Sequence, residues 1–177
     1  MFNSPRTISF GSLNAILIFS FLLAGCSQPT STPAPPKPTQ KVTVDLSTPE
    51  STMLSIEEAY RSNDYEAALK CKDFEVEARL MMDKLDFNDE MKNNEEILTQ
   101  LKDTLELAFR AEYEKNGFPD FNGASSTFSD KAPYQGKDDV IQMKETVKFP
   151  NGKSVASTVH VAKTDDGWKF IMIPDAN

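Results

Sequence analysis

The chain has 177 residues, the length of one domain once any segment that does not fold is set aside, and a formal net charge of −8 from 19 Lys and Arg against 27 Asp and Glu. That acidic balance argues against nucleic acid and anionic membrane surfaces as partners, because both carry the same sign of charge. A single histidine excludes a His-rich metal cluster, and the spacings of calcium loops, phosphate-cradling glycine loops, nucleophile elbows and paired-cysteine zinc sites are missing, so no cofactor or metal is expected.

Met1 to Ser12 is polar with one charge, Arg6, and Leu13 to Gly25 is apolar apart from Asn14 and Ser20. This is the pattern of a secretory signal peptide, too short and too poorly flanked for a comfortable membrane span. Leu22-Leu23-Ala24-Gly25-Cys26 closes the apolar run and resembles the lipobox of bacterial lipoproteins. The resemblance implies that residues 1–25 are removed and that Cys26 becomes a fatty-acylated (palmitate-bearing) N-terminus. Ser27 is not the aspartate that retains such proteins at an inner membrane, which implies an outer-membrane anchor facing the periplasm. One acyl chain holds a protein only marginally, at ~0.8 kcal/mol per buried methylene, whereas several chains anchor it stably. With Cys26 acylated, Cys71 is the sole remaining thiol and no intramolecular disulfide can form. Cys71 falls on an apolar helical stripe four residues after Ala67, which reads as a buried structural thiol, with a reactive or intermolecular thiol as the alternative.

Residues 26–45 form a Pro/Thr/Ser-rich tether, too polar to bury a core, whose 19 residues from Ser27 to Asp45 reach at most about 60 Å at ~3.1 Å each. The folding domain is placed at 46–177. Ser47-Thr48-Pro49-Glu50 has capping-box spacing with proline in the first turn, and Met53, Ile56 and Tyr60 follow at helical spacing, predicting a helix over 48–62. Asn63-Asp64 breaks it, and Asp64 caps a short second helix. Asp73 caps a third, with Phe74, Ala78, Met81 and Leu85 on one stripe. Asn88-Asp89 caps a long fourth, with Met91, Leu98, Leu101, Leu105, Ala108 and Glu112 spaced by three and four as its stripe, widened by Phe109 and Tyr113, and Gly117 as its stop.

Phe118 to Gly136 is punctuated by Gly, Ser and Pro and is read as a connection. From Val140 to Phe149 the period changes to two, with Ile141, Met143, Val147 and Phe149 apolar between polar neighbours. A two-residue Asn-Gly turn after this strand would send Val155, Val159 and Val161 to the lysine face. A three-residue loop, with Pro150 and Asn151 in a type I turn and Gly152 left-handed, pairs 147 with 155, 143 with 159 and 141 with 161, and this register is preferred because it gathers the valines on one face. Asp165-Asp166-Gly167 turns into Trp168 to Ile173, apolar on both faces and of undecided register. The fold class is α+β, with N-terminal helices packed on one face of a curved C-terminal antiparallel sheet.

The phrase Tyr60-Arg-Ser-Asn-Asp64-Tyr-Glu-Ala-Ala68 and the closing Asp-Gly-Trp-Lys-Phe of residues 166–170 resemble the NTF2-like superfamily, in particular the small lipoproteins of unknown function within its cystatin-like cone. The resemblance spans about residues 48–175. It implies a curved sheet wrapped around a long helix to leave a cavity, in a family where some members are enzymes and others bind ligands, mediate assembly or act as immunity proteins. The helical stretch from Phe74 to Asn116 departs from the pattern, since a strand is often found there.

Three residues are singled out as pocket candidates: Glu145, Ser157 and Met143. Glu145 has the parity of the apolar positions and faces Ser157 in the chosen register, and a lone carboxylate aimed at a core costs several kcal/mol unless it is bonded, paired, at a cavity mouth, or turned outward by a bulge. His160, opposite Gln142 on the other face, reads as a surface or partly packed histidine, with general base as the alternative. Charge is uneven: residues 45–116 hold 19 acidic and 9 basic residues, a net of −10, whereas residues 117–177 hold 8 and 7, a net of −1. The function expected is a lipid-anchored, non-catalytic binding or interaction protein that meets a partner of basic character. An immunity protein that neutralises a toxin, or an enzyme using Glu145 or His160 in a cavity, are the alternatives.

Overall fold

The structure, a computed structural model, describes residues 41–84 and 87–173. The expected signal peptide, the expected lipobox with Cys26 and the expected tether up to residue 40 lie outside the described residues. Among those described, no helix is long and apolar enough to cross a membrane.

Helix α1 spans Pro49–Ser62. Its cap is Thr48, one residue later than the Ser47 box expected: Thr48 Oγ1 accepts from the Ser51 amide at 3.1 Å and Ser51 Oγ accepts from the Thr48 amide at 3.0 Å. This frame puts Pro49 at the first helical position, where its missing N–H would have had no partner. Asn63, at φ 55°, ends the helix. In α2 (Tyr65–Lys70), the Asp64 side chain accepts from Ala67, and Asp73 caps α3 (Phe74–Lys84) by accepting from Glu75 and Val76. The expected long fourth helix is two. Asn88 caps α4 (Asp89–Lys92), then Asn94 opens α5 (Glu95–Asn116) by accepting from Glu96 and Ile97. Asn93-Asn94 offers a competing cap in mid-pattern, which restarts the helix. Gly117, at φ 71°, is the stop expected of it.

Four antiparallel strands follow in the order β1 (Ser125–Tyr134), β2 (Lys137–Lys148), β3 (Ser154–Thr164) and β4 (Gly167–Ile171). Strand β1 occupies a stretch read as a connection. As an edge strand it tolerates Pro133, and it bulges between Ser129 and Ala132, where Asp130 sits at φ 52°, so alternation is interrupted. The β2–β3 register is the preferred one, with Met143 opposite Val159 and Ile141 opposite Val161. Gly152 is left-handed at φ 82° and donates to the Phe149 carbonyl at 2.9 Å, closing the three-residue turn. Strand β4 sets Phe170 opposite Val161 and Lys169 opposite Ala162.

The helices cover both sheet faces, not one. On the face of Met143, Val159 and Val161, α1 and α2 bury Met53, Ile56, Ala59, Ala68 and Cys71. The chain then passes along the β4 edge, where the Phe170 amide donates to the Cys71 carbonyl and Lys169 Nζ to the Lys70 carbonyl at 2.8 Å. This detour carries α3 to the opposite face, where Leu80 packs with Val140, Ala162 and Ile171. The third-helix stripe is rotated accordingly: Leu80 and Met82 are buried and Met81 is only half-buried, while Leu85 lies outside the described residues. Ahead of α1, Val42, Val44 and Leu46 pack on the core, and the Trp168 amide donates to the Leu46 carbonyl at 2.8 Å. The packed body thus includes residues before 46. Gly167 makes this docking possible, since a Cβ there would lie 2.6 Å from the Leu46 carbonyl oxygen.

Candidate functional site

Glu145 points inward from the middle of β2, opposite Phe128 on β1 and Ser157 on β3, and is 6% exposed. Its partner comes from α1. Glu57 falls on the buried stripe, four residues after Met53 and three before Tyr60, and is 1% exposed. The Glu57 carboxyl and the Ser157 hydroxyl are the polar side chains that act on Glu145 there. Burial, with the Glu57 carboxyl alongside, raises the Glu145 pKa to about 7. Glu57 Oε1 and Glu145 Oε1 are both buried without a hydrogen-bond partner, as is Ser126 Oγ on β1. Arg61 reaches Glu57 Oε2 at 3.4 Å, pairs with Glu58, and donates through Nε to the Phe121 carbonyl at 3.1 Å. The sequence signal for Glu57 is its place on the apolar stripe of α1, which period analysis discards because the residue is charged.

Met143 and Ser157 have their side chains on the Glu145 face. They also border a polar hollow of about 300 Å3 on the other face, lined there by Asp130, Gln142, Lys144 and Thr158, and Glu145 does not line it. His160 lies on that other face, half-buried with its ring 4.8 Å from Tyr134 in an edge-on contact. Glu145 and His160 are therefore separated by the sheet and form no dyad. Cys71 is fully buried, and burial pushes its thiol up to about 11, the setting of an unreactive structural cysteine. Among the described residues, no three His, Cys, Asp or Glu side chains are grouped to hold a metal ion.

A second buried charge site lies where the chain passes β4. Lys72 Nζ bonds Glu77 Oε2 at 3.1 Å, with both side chains nearly inaccessible, and Glu77 Oε2 also accepts from the Met172 amide at 3.0 Å. The ammonium sits 4.7–5.3 Å from the ring centroids of Phe170, Phe74 and Phe109. Burial lowers the Lys72 pKa, while Glu77 opposes that shift. Phe109 belongs in turn to an aromatic cluster that docks the C-terminal half of α5. Phe118 is its hub, with its centroid 4.5 Å from Tyr60, 4.3 Å from Tyr113 and 6.3 Å from Tyr65.

The other side of α5 is uncovered. Of its 22 residues only Leu98 is fully buried, while Ile97, Leu101, Leu105 and Phe109 are half-buried. Glu96, Gln100, Asp103, Leu107, Ala111 and Glu114 form one exposed row at three- and four-residue spacing, and Leu107 is 66% exposed. Three of the six are acidic and none is basic. Neighbouring Arg110 pairs with Glu106 at 3.8 Å and lies over the Tyr65 ring. Of the expected stripe Leu98 is buried and Leu101, Leu105, Phe109 and Tyr113 are half-buried, whereas Ala108 and Glu112 are exposed.

No protein-family model matches the chain, and no curated protein matches it. Among solved structures it is similar to one described as a candidate NTF2-like transpeptidase from Campylobacter jejuni, with 16% identity and a TM-score of 0.37, over 71% of this chain and 99% of that one. A likeness of that size carries no argument about activity. The architecture, helices followed by an antiparallel four-stranded meander, is that of an α+β domain.

Proposed function

We propose that this chain is a lipid-anchored envelope protein, held by acylated Cys26 at the outer membrane facing the periplasm, whose domain acts by binding a basic protein partner rather than by catalysis. The observation that carries the binding reading is the outward row of α5, acidic and centred on exposed Leu107. Complementary charge would steer a basic partner to the helix, and Leu107 would supply the apolar contact at the centre. The separation of Glu145 from His160 by the sheet also favours binding over chemistry at that pair.

Two measurements test the two halves of this reading. Cys26→Ser is expected to abolish acyl labelling and release the protein from membranes, and labelling that persists overturns the anchor. The intact lipidated chain, used as bait in solubilised envelopes, is expected to retain a basic protein. Substituting Glu96→Lys, Asp103→Lys and Glu114→Lys together is expected to cut that retention at least tenfold without moving the unfolding midpoint by much, because these are exposed sites. Retention unchanged by the reversal overturns the α5 assignment.

A further inference from the structure

We propose that Glu57 and Glu145 share one proton and form a pH-responsive latch between α1 and the sheet. The geometry is that of a proton-holding pair: two neighbouring carboxyls, each nine-tenths or more buried, each with one buried oxygen that has no hydrogen-bond partner. A single proton between the two oxygens satisfies both. Two carboxylates in the same place would leave two orphaned acceptors and a like-charge contact inside the core.

The groups facing the pair set how much relief a second negative charge would find. From α1, Arg61 touches only Glu57 Oε2, at 3.4 Å, and divides its charge between Glu57 and Glu58. Tyr60 lies near Glu145, Cys71 and Glu77, and its phenol is raised by burial first and by these three groups next, so it stays neutral. From the sheet come the Ser157 hydroxyl, Phe128 and the partnerless Ser126 hydroxyl. Among these neighbours none is a cation placed on Glu145.

The latch has reach beyond α1. Arg61, one turn along from Glu57, holds the Phe121 carbonyl, and Tyr60 stacks on Phe118 at 4.5 Å and lies tilted against Phe121 at 6.1 Å. Both phenylalanines lie in the 117–124 connection that leads out of α5. Loosening α1 therefore loosens the cluster that supports the exposed helix, so binding through α5 would weaken as the proton is lost.

A carboxyl whose proton is held more tightly in the folded state stabilises the fold fully at low pH, and the contribution fades as pH rises from the ordinary carboxylate range through the folded value near 7. The wild-type folded-to-unfolded ratio is expected to fall on the order of 50- to 100-fold from pH 5 to pH 8 through this pair. In Glu145→Gln, an amide can donate to Glu57 at every pH, so the fall is expected to vanish and α1 amide exchange, corrected for its intrinsic pH dependence, to stay flat. Urea unfolding and hydrogen exchange at the two pH values read both. As a second readout independent of any variant, carbon NMR titration of the Glu145 carboxyl in the wild type is expected to show a midpoint near 7. A midpoint in the ordinary carboxylate range, or an identical pH 5 to 8 fall in wild type and Glu145→Gln, overturns the proposal.

Discussion

Glu77→Gln is expected to lower the unfolding free energy by about 3–5 kcal/mol, a large part of what a domain of this size has. The substitution keeps the shape of the side chain and an oxygen that can still accept from the Met172 amide. What it removes is the carboxylate charge bonded to Lys72, whose ammonium then sits unpaired among Phe74, Phe109 and Phe170. Aromatic faces attract a cation, but at about 2 kcal/mol they do not replace a buried carboxylate. Lys72→Met alone should cost a similar amount by stranding Glu77. Combining Lys72→Met with Glu77→Gln should recover most of the loss, because an uncharged pair of similar volume has no ion to desolvate. The sign with pH is also set. An unpaired Lys72 binds its proton less tightly in the folded than in the unfolded state, so Glu77→Gln alone should regain stability as pH rises. Urea unfolding of the three variants checks this, and single substitutions costing under about 1 kcal/mol would contradict it.

Phe118→Ala should have the next largest effect, about 2–4 kcal/mol, and a local signature. Phe118 is half-buried yet lies within ring contact of Tyr60, Tyr65, Phe109 and Tyr113, and so joins α1, α2 and α5. The N-terminal half of α5 has a separate support, with Leu98 buried against Ala78 and Met82 of α3. Removal of the ring should therefore raise hydrogen exchange over residues 105–116 far more than over 95–101. Uniform exchange along α5 would show that the aromatic cluster does not hold its C-terminal half.

Local signals predicted much of this fold, and each miss has a physical cause. Helix α1 was legible to within one residue because a capping-box spacing, Pro49 and a clean apolar period agree, and the β2–β3 register because only the Pro150-Asn151-Gly152 turn keeps the valines together. Strand β1 was not legible: an edge strand with one solvated side, a proline and a bulge has no sustained alternation. The break between α4 and α5 arises because Asn88 and Asn94 both cap, the second where α5 begins to pack on α3. The placement of α3 on the far face depends on the hydrogen bonds that tie Lys70 and Cys71 to β4, which no local pattern carries. For the site, Glu145 was found by parity and its neighbour Ser157 by register. Glu57, Lys72 and Glu77 were missed because period analysis assigns charged residues to solvent, and they are buried only because tertiary structure brings them partners.

The most direct test of the binding account is site-specific photocrosslinking from α5 in intact cells producing the full chain. With the photoreactive residue at Leu107, centre of the exposed row, adducts to a basic protein are expected. With it at Phe109, turned toward Tyr65, Phe74 and Phe118, none are expected. Adducts absent at Leu107, or equal at the two positions, would contradict the assignment of α5 as the binding surface.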